Sequence, residues 1–258
     1  MNQPKRQKII AANWKMYKSI SQAVQFIQEL PPLVTSNEAA IYIAVPFTAL
    51  SAASHASEKT SIMVGAQNMN EHIEGAFTGE ISGSMLIDAG ARFVIIGHSE
   101  RRHLFHESDE VINLKLKRAL EVGLQPLLCV GETLAQREAE QTEQVLLAQL
   151  QDCLLGISDD QAKNIIIAYE PVWAIGTGKT ASPETAQNTH LFIRKILVNL
   201  YPASGKQLSI LYGGSVKPET AQSLLAQPAI DGLLVGGASL DVQAFSQIVN
   251  AQSTLSLC

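Results

Sequence analysis

A closed barrel of eight parallel strands ringed by helices, an α/β architecture of the (β/α)8 kind, is the fold class that this sequence predicts. Three observations point to it. Eight short apolar runs recur along the chain, helical signatures fall between several of them, and a length of 258 residues suits a barrel folded as one unit. An open doubly wound sheet is the alternative built from the same ingredients. No long repeat, linker, low-complexity tract or composition break divides the chain, so residues 1–258 are read as one barrel domain.

The runs are Lys8 to Trp14, Ala40 to Val45, Ile62 to Ala66, Phe93 to Ile96, Pro126 to Val130, Ile165 to Tyr169, Leu208 to Tyr212 and Ile230 to Val235. Each has strand length, and their mostly unbroken apolar character suits parallel strands covered on both faces better than a sheet with one wet face. After the first run, Ser19 to Glu29 spaces Ile20, Ala23, Val24 and Ile27 along one helical face. Ser108-Asp109-Glu110 opens a helix with acids in its first turn, and Gly123 closes it. Thr133 to Cys153 reads as one amphipathic helix on Leu134, Val145, Leu146, Leu150 and Cys153. Ser182 to Leu200 and Leu240 to Val249 supply two more, the former begun by an N-cap serine, a first-turn proline and an early acid in Ser182-Pro183-Glu184.

Composition excludes several function classes. A hydrophobic fraction of 46% with only 17% charged residues describes a well-buried core rather than disorder. The formal net charge of -5 offers no basic field for nucleic acid, and Arg101-Arg102 is short and flanked by acids. The apolar run after the basic Pro4 to Lys8 stops at Asn13, too soon for a secretory signal, and no stretch is long enough to span a bilayer. Nucleic acid and membrane are therefore not expected partners. Three cysteines, Cys129, Cys153 and Cys258, form an odd set without metal-type spacing, which suits a reducing cytoplasm. Cys129 reads as a small packed hydrophobe, Cys258 as exposed at the chain end, and no base partner marks a reactive thiol.

In barrels and open parallel sheets alike, chemistry sits at the C-terminal ends of the strands. Polar residues sort by that address: Asn13 and Lys15 at the end of the first run, His98, Ser99 and Glu100 at that of the fourth, and Glu170 at that of the sixth. Gly213-Gly214-Ser215 follows the seventh and Gly236-Gly237 the eighth. A glycine pair after a strand is more often a plain turn than an anion site; two pairs in consecutive units, one beside Ser215, suit a phosphate held by backbone N–H groups. His98 has a bland reading as a satisfied core histidine, and Glu170 one as a structural partner for an arginine. His98, His103 and His106 lie close together, but Arg101 and Arg102 intervene and the spacing misses the helical zinc motif, so no metal is expected. Glu100, Arg101 and Arg102 are read as a salt-bridged cluster supporting the strand end.

The stretch Ala168 to Lys179 is the most informative. It passes from buried strand to a carboxylate, Glu170, and on to the small residues Gly176-Thr177-Gly178. Pro171 restricts its neighbour to extended geometry, while the glycines permit close backbone approach. Before the helix resumes at Ser182 lies a connection of about ten residues, longer than most strand-to-helix loops and therefore read as functional.

Five segments then coincide with one family. Asn13-Trp14-Lys15-Met16, Gly75 to Glu80, Ile96 to Arg102, Ala168 to Lys179 and Tyr212 to Val216 resemble, in order and spacing, the motifs of the triosephosphate isomerase family. The resemblance implies a homodimeric TIM barrel, working without a cofactor, that interconverts dihydroxyacetone phosphate and glyceraldehyde 3-phosphate. It implies Glu170 as the base that moves a proton between adjacent carbons and His98 as the electrophile, neutral at a helix N-terminus; this family is a standard example of such tuning. Lys15 would supply positive charge, Asn13 a hydrogen bond, and Glu100 would position Lys15. Amides of Gly176, Ser215, Gly236 and Gly237 would grip the phosphate. Closure of the Pro171 to Lys179 loop would exclude water, for which the family is again a standard example. The Gln67 to Glu80 segment resembles the loop that enters a partner subunit, with Thr78 near its tip. Tyr17 stands where the family often has asparagine and is expected near that subunit contact. The alternatives are another phosphosugar isomerase on the same barrel and a non-catalytic phosphate-ligand binding barrel; the joint presence of Asn13, Lys15, His98 and Glu170 argues against the latter.

Overall fold

The computed structural model describes residues 6–36, 38–175 and 181–251. Its strands are β1 (Lys8–Asn13), β2 (Ala39–Val45), β3 (Ile62–Ala66), β4 (Phe93–Ile96), β5 (Gln125–Val130), β6 (Ile166–Tyr169), β7 (Ile210–Tyr212) and β8 (Gly232–Val235). Each pairs in parallel with its sequence neighbour, and β8 closes on β1, Ile9 lying opposite Gly232. The closed barrel replaces the doubly wound alternative, since a sheet joined to itself leaves no edge.

Alternation along the strands, hidden in the sequence by apolar residues on both faces, becomes visible once they are paired. Ile9, Ala11, Tyr42, Phe93, Ile95, Leu127, Cys129, Ile166, Ala168, Leu211 and Leu234 pack together inside the barrel. Their neighbours Ile10, Ala12, Ile43, Val94, Ile96, Leu128, Ile167, Ile210 and Val235 join the larger core beneath the helices. The interior mixes sizes: the Tyr42 and Phe93 rings meet at a tilt of 56° with centroids 4.9 Å apart, and a Cβ on Gly65 would stand 2.4 Å from the Phe93 ring. Removing one apolar layer would expose the other, so both must form together.

Helix caps follow the sequence closely. Ser19, Ser108 and Ser182 each accept a backbone N–H in the first turn of the helices Ile20–Glu29, Asp109–Glu121 and Pro183–Leu200. Two expectations require correction. Thr133 to Cys153 is two helices, Leu134–Glu138 and Thr142–Cys153, and Glu140 between them turns through a left-handed φ of 56°. Good helix formers surround the break, so propensity carries no stop signal there. The last helix is Val242–Val249 rather than Leu240 to Val249: Asp241 caps it, and Gly237–Leu240 forms a separate 3-10 turn. The last two strands also start later than their apolar runs. Between β7 and β8 the buried Asp231 carboxylate takes hydrogen bonds from Arg6 at 2.5 Å, Arg194 at 2.7 Å and the Ile210 amide at 2.9 Å. Among the described residues no helix is long and apolar enough to cross a membrane.

Candidate active site

Five strand ends place the polar groups around one cleft. β1 ends in Asn13, whose side-chain oxygen accepts the Lys15 backbone N–H at 3.0 Å and helps to hold Lys15 in a left-handed turn with φ 52°. Such a conformation is costly for a residue with a side chain. It sends the ammonium across to Glu100, 2.6 Å away. β4 runs into Gly97, itself left-handed with φ 72°, and then into His98 at the start of the helix Ser99–Leu104. The first N–H groups of a helix lack internal partners. Here the Ser99 amide donates to Glu170 Oε2 at 2.9 Å, and the Glu100 amide to His98 Nδ1 at 3.2 Å.

β6 delivers Glu170, 2% exposed, with its second carboxylate oxygen 2.9 Å from His98 Nε2. Gly213 makes room for it: a Cβ there would lie 2.9 Å from Glu170 Cγ. Since Nδ1 of His98 accepts an amide proton, a neutral ring carries its own proton on Nε2 and donates it to Glu170. Burial works to raise the Glu170 pKa, but His98, the Ser99 amide and Lys15 outweigh it and hold the carboxyl below its usual range. Burial likewise works against a charged His98; contact with Glu170, aided by Glu100, overcomes that and sets the imidazole above its ordinary value.

The cleft is about 510 Å³ and is lined by Asn13, Lys15, His98 and Glu170 together with Ser215, Gly236 and Gly237. Seven sequence-selected residues therefore meet. Glu100 does not line this cleft but faces a neighbouring hollow of about 210 Å³, from which it reaches Lys15. Gly176 and the rest of the loop through Lys179 lie outside the described residues, as does Cys258. A larger hollow of about 1070 Å³ opens at the opposite rim around Arg6, Lys8 and Glu38, but lacks any comparable set of acid, base and oxyanion groups.

The expected cluster of Glu100, Arg101 and Arg102 does not form, because consecutive residues on a helix face different ways. Arg101 pairs with Glu107 at 2.6 Å, whereas Arg102 reaches Asp109 at 2.5 Å and the carbonyls of Gly97 and Cys129 at 2.8 and 3.0 Å. Arg102 does support strand ends, through β4 and β5. His103 and His106 are exposed while His98 is buried. Cys129 and Cys153 are buried thiols, and burial raises the pKa of both. Tyr17 borders the cleft.

Sequence reasoning missed Glu132, although it follows the fifth strand at the same address as the others. It is fully buried, and its Oε1 accepts from Trp173 Nε1 at 2.9 Å, Tyr169 Oη at 3.1 Å and Arg137 at 3.2 Å. Trp173 sits in the 3-10 turn Val172–Ala174, directly after the strand end that bears Glu170.

Comparison with known proteins agrees with this geometry. A family model described as triosephosphate isomerase matches residues 8–252. A protein of Geobacter metallireducens named triosephosphate isomerase is 53% identical over 247 residues, covering 95% of this chain and 98% of the relative. Proteins of the same name from Protochlamydia amoebophila and Solibacter usitatus are 50% and 51% identical, covering 97% and 95% of this chain and 95% and 99% of their own lengths. With a closed eight-stranded barrel and a buried glutamate against a histidine at its C-terminal rim, this chain belongs to the triosephosphate isomerase family.

Proposed function

We propose that Glu170, His98, Lys15 and Asn13 interconvert dihydroxyacetone phosphate and D-glyceraldehyde 3-phosphate in the cleft, by proton transfer through an enediol(ate). The observation that carries this reading is the state of Glu170: ionised, buried, and bound on both oxygens by groups that a substrate would replace. The carboxylate takes a proton from the carbon beside the substrate carbonyl, and the electron pair moves onto the carbonyl oxygen. Nε2–H of His98 and the Lys15 ammonium meet the charge that develops there, with Asn13 holding the turn that aims Lys15. His98 passes a proton to that oxygen and takes one from the neighbouring hydroxyl, and return of the carbon-bound proton from Glu170 to the neighbouring carbon completes the isomerisation. Oxidation at one carbon balances reduction at the next, so no step needs a cofactor.

Moving Glu170 toward substrate also changes His98. The larger of the contacts that raise its pKa is lost, while burial, the Lys15 charge and the Glu100 amide remain to favour a neutral ring against the Glu100 carboxylate. Glu100 positions Lys15. Amides around Ser215, Gly236 and Gly237, together with Gly176, bind the phosphate. That remote grip supplies binding energy for holding the reacting carbons in line.

The chain works as one (β/α)8 domain, since the site draws on five strands of one sheet. It acts as a cytoplasmic homodimer in which the Thr78 loop of one subunit enters the other. Thr78 is exposed, and the hollow beside Lys15 is walled by the exposed Met16 and Phe105. Two buried free thiols suit a reducing compartment. Sedimentation at micromolar protein is expected to show dimer; monomer alone would overturn that part.

The test of function is a coupled assay of glyceraldehyde 3-phosphate conversion, run beside Glu170→Ala and a panel of other phosphosugars. Turnover of the triose alone, lost in the folded variant, is the expected result. A well-folded wild type that binds the triose phosphate without turnover would leave only a binding protein.

A further inference from the structure

Lys18 carries a long side chain where the backbone favours none. Its φ is 74°, in the left-handed region, which a residue with a Cβ enters against a steric cost that glycine does not bear. The side chain folds back over the first loop, with Nζ 5.2 Å from the Trp14 ring centroid and 4.7 Å from that of Phe26. From there it donates to the Leu240 carbonyl at 2.8 Å. Burial draws its pKa below the ordinary lysine value against the pull of Asp241 and Glu29, as expected of an ammonium drawn in from solvent.

Trp14 makes the matching contact, Nε1 donating to the Ser239 carbonyl at 3.1 Å. Two successive carbonyls of the Gly237–Leu240 turn are thus held by the first loop. Inside the turn, the Ser239 amide and hydroxyl both donate to the Gly236 carbonyl, at 2.8 and 2.7 Å. The path runs without a gap from Lys18 through the turn to Gly236, which lines the cleft; a Cβ there would lie 3.6 Å from Lys15 Cε.

We infer that Lys18 is a positioning residue: docked on Trp14 and Phe26, it clamps the Gly237–Leu240 turn to the first loop and so sets where the Gly236 and Gly237 amides meet the substrate phosphate. This rests on the reading that those amides bind phosphate. Lys18 itself does not line the cleft. Hydrogen bonds to a phosphate depend steeply on distance and angle, so a turn released at its far end loses affinity without losing its donors. The phosphate is carried unchanged through the reaction, and the loss therefore falls on KM more than on kcat.

Lys18→Gly is the informative variant, because glycine suits the backbone and removes only the side chain. With one hydrogen bond of about 1 kcal/mol gone, inorganic phosphate binding by calorimetry and KM for the triose phosphate should weaken roughly three- to tenfold. A kcat within about twofold of wild type is expected, with Tm unchanged or raised by the relaxed backbone. Lys18→Arg, which keeps the charge and a donor, should restore most of the phosphate affinity. Wild-type phosphate affinity and KM in Lys18→Gly would assign Lys18 to stability alone and overturn the inference, as would a fall in kcat with affinity retained. If wild type fails to bind inorganic phosphate in competition with substrate, the phosphate cradle itself is wrong and the inference falls with it, a result distinct from the first two.

Discussion

Glu132 and Glu170 stand at the ends of adjacent strands, both inside the barrel rim and both buried, yet only Glu170 faces the cleft. Their partners differ in kind. Glu132 gathers a tyrosine hydroxyl, an indole and a guanidinium on one oxygen, groups that are themselves packed in place. Glu170 leans on a buried helix-terminal amide and on an imidazole that lines the cleft. Burial alone therefore does not make a base. What matters is whether the groups satisfying the carboxylate can be replaced by substrate, and whether a neighbour can take up charge when they are.

The largest effect expected from this contrast is on turnover. Glu170→Ala should lower kcat by about 10³-fold, within the range for loss of a general base, while binding of a phosphate-bearing substrate analogue changes only a few-fold. Near-normal kcat would remove Glu170 from its role and erase the distinction between the two glutamates. Glu132→Ala should behave in the opposite way. It takes the carboxylate acceptor from the buried Tyr169 hydroxyl, a loss of roughly 1–3 kcal/mol, to be read by urea denaturation. Its kcat should fall by less than about tenfold. A loss of turnover to match Glu170→Ala with unchanged stability would make Glu132 part of the chemistry.

A smaller effect sharpens the scaffold side of the comparison. His190, fully buried, lies edge-on to Tyr169 with centroids 5.9 Å apart and 6.4 Å from the Tyr212 ring, close behind both strand ends. Burial lowers its pKa from 6.5 to about 3, with Arg194 also opposing a charge and its bond to the Ala229 carbonyl favouring one. Below pH 6.5 the unfolded chain takes up a proton that the folded chain refuses, so stability falls as pH drops from there toward 3. Between pH 7 and 5 this amounts to about 2 kcal/mol. Denaturation midpoints measured across that range should show the slope in wild type and a flatter one in His190→Phe; equal slopes would release His190 from this account.

Much of the rim was legible in the sequence because it has an address. Asn13, Lys15, His98 and Glu170 each follow an apolar run directly, and a parallel barrel puts all such positions at one end. Glu132 shares that address, directly after the fifth run, and counting every strand end finds it. Glu100 contacts Lys15, but the expected cluster with Arg101 and Arg102 does not form, their partners being Glu107 and Asp109.

By itself the sequence determined the strand set, the helix starts at Ser19, Ser108 and Ser182, and the order in which functional residues meet the rim. These depend on hydrophobic period and on capping hydrogen bonds a few residues away, both local. Tertiary structure alone decided that Glu170 rests on His98 and Ser99, that Lys15 finds Glu100 across 85 positions, and that Lys18 reaches Leu240 across 222. Those partners lie on different strands and loops, and only closure of the barrel through β1 and β8 brings them within hydrogen-bond distance.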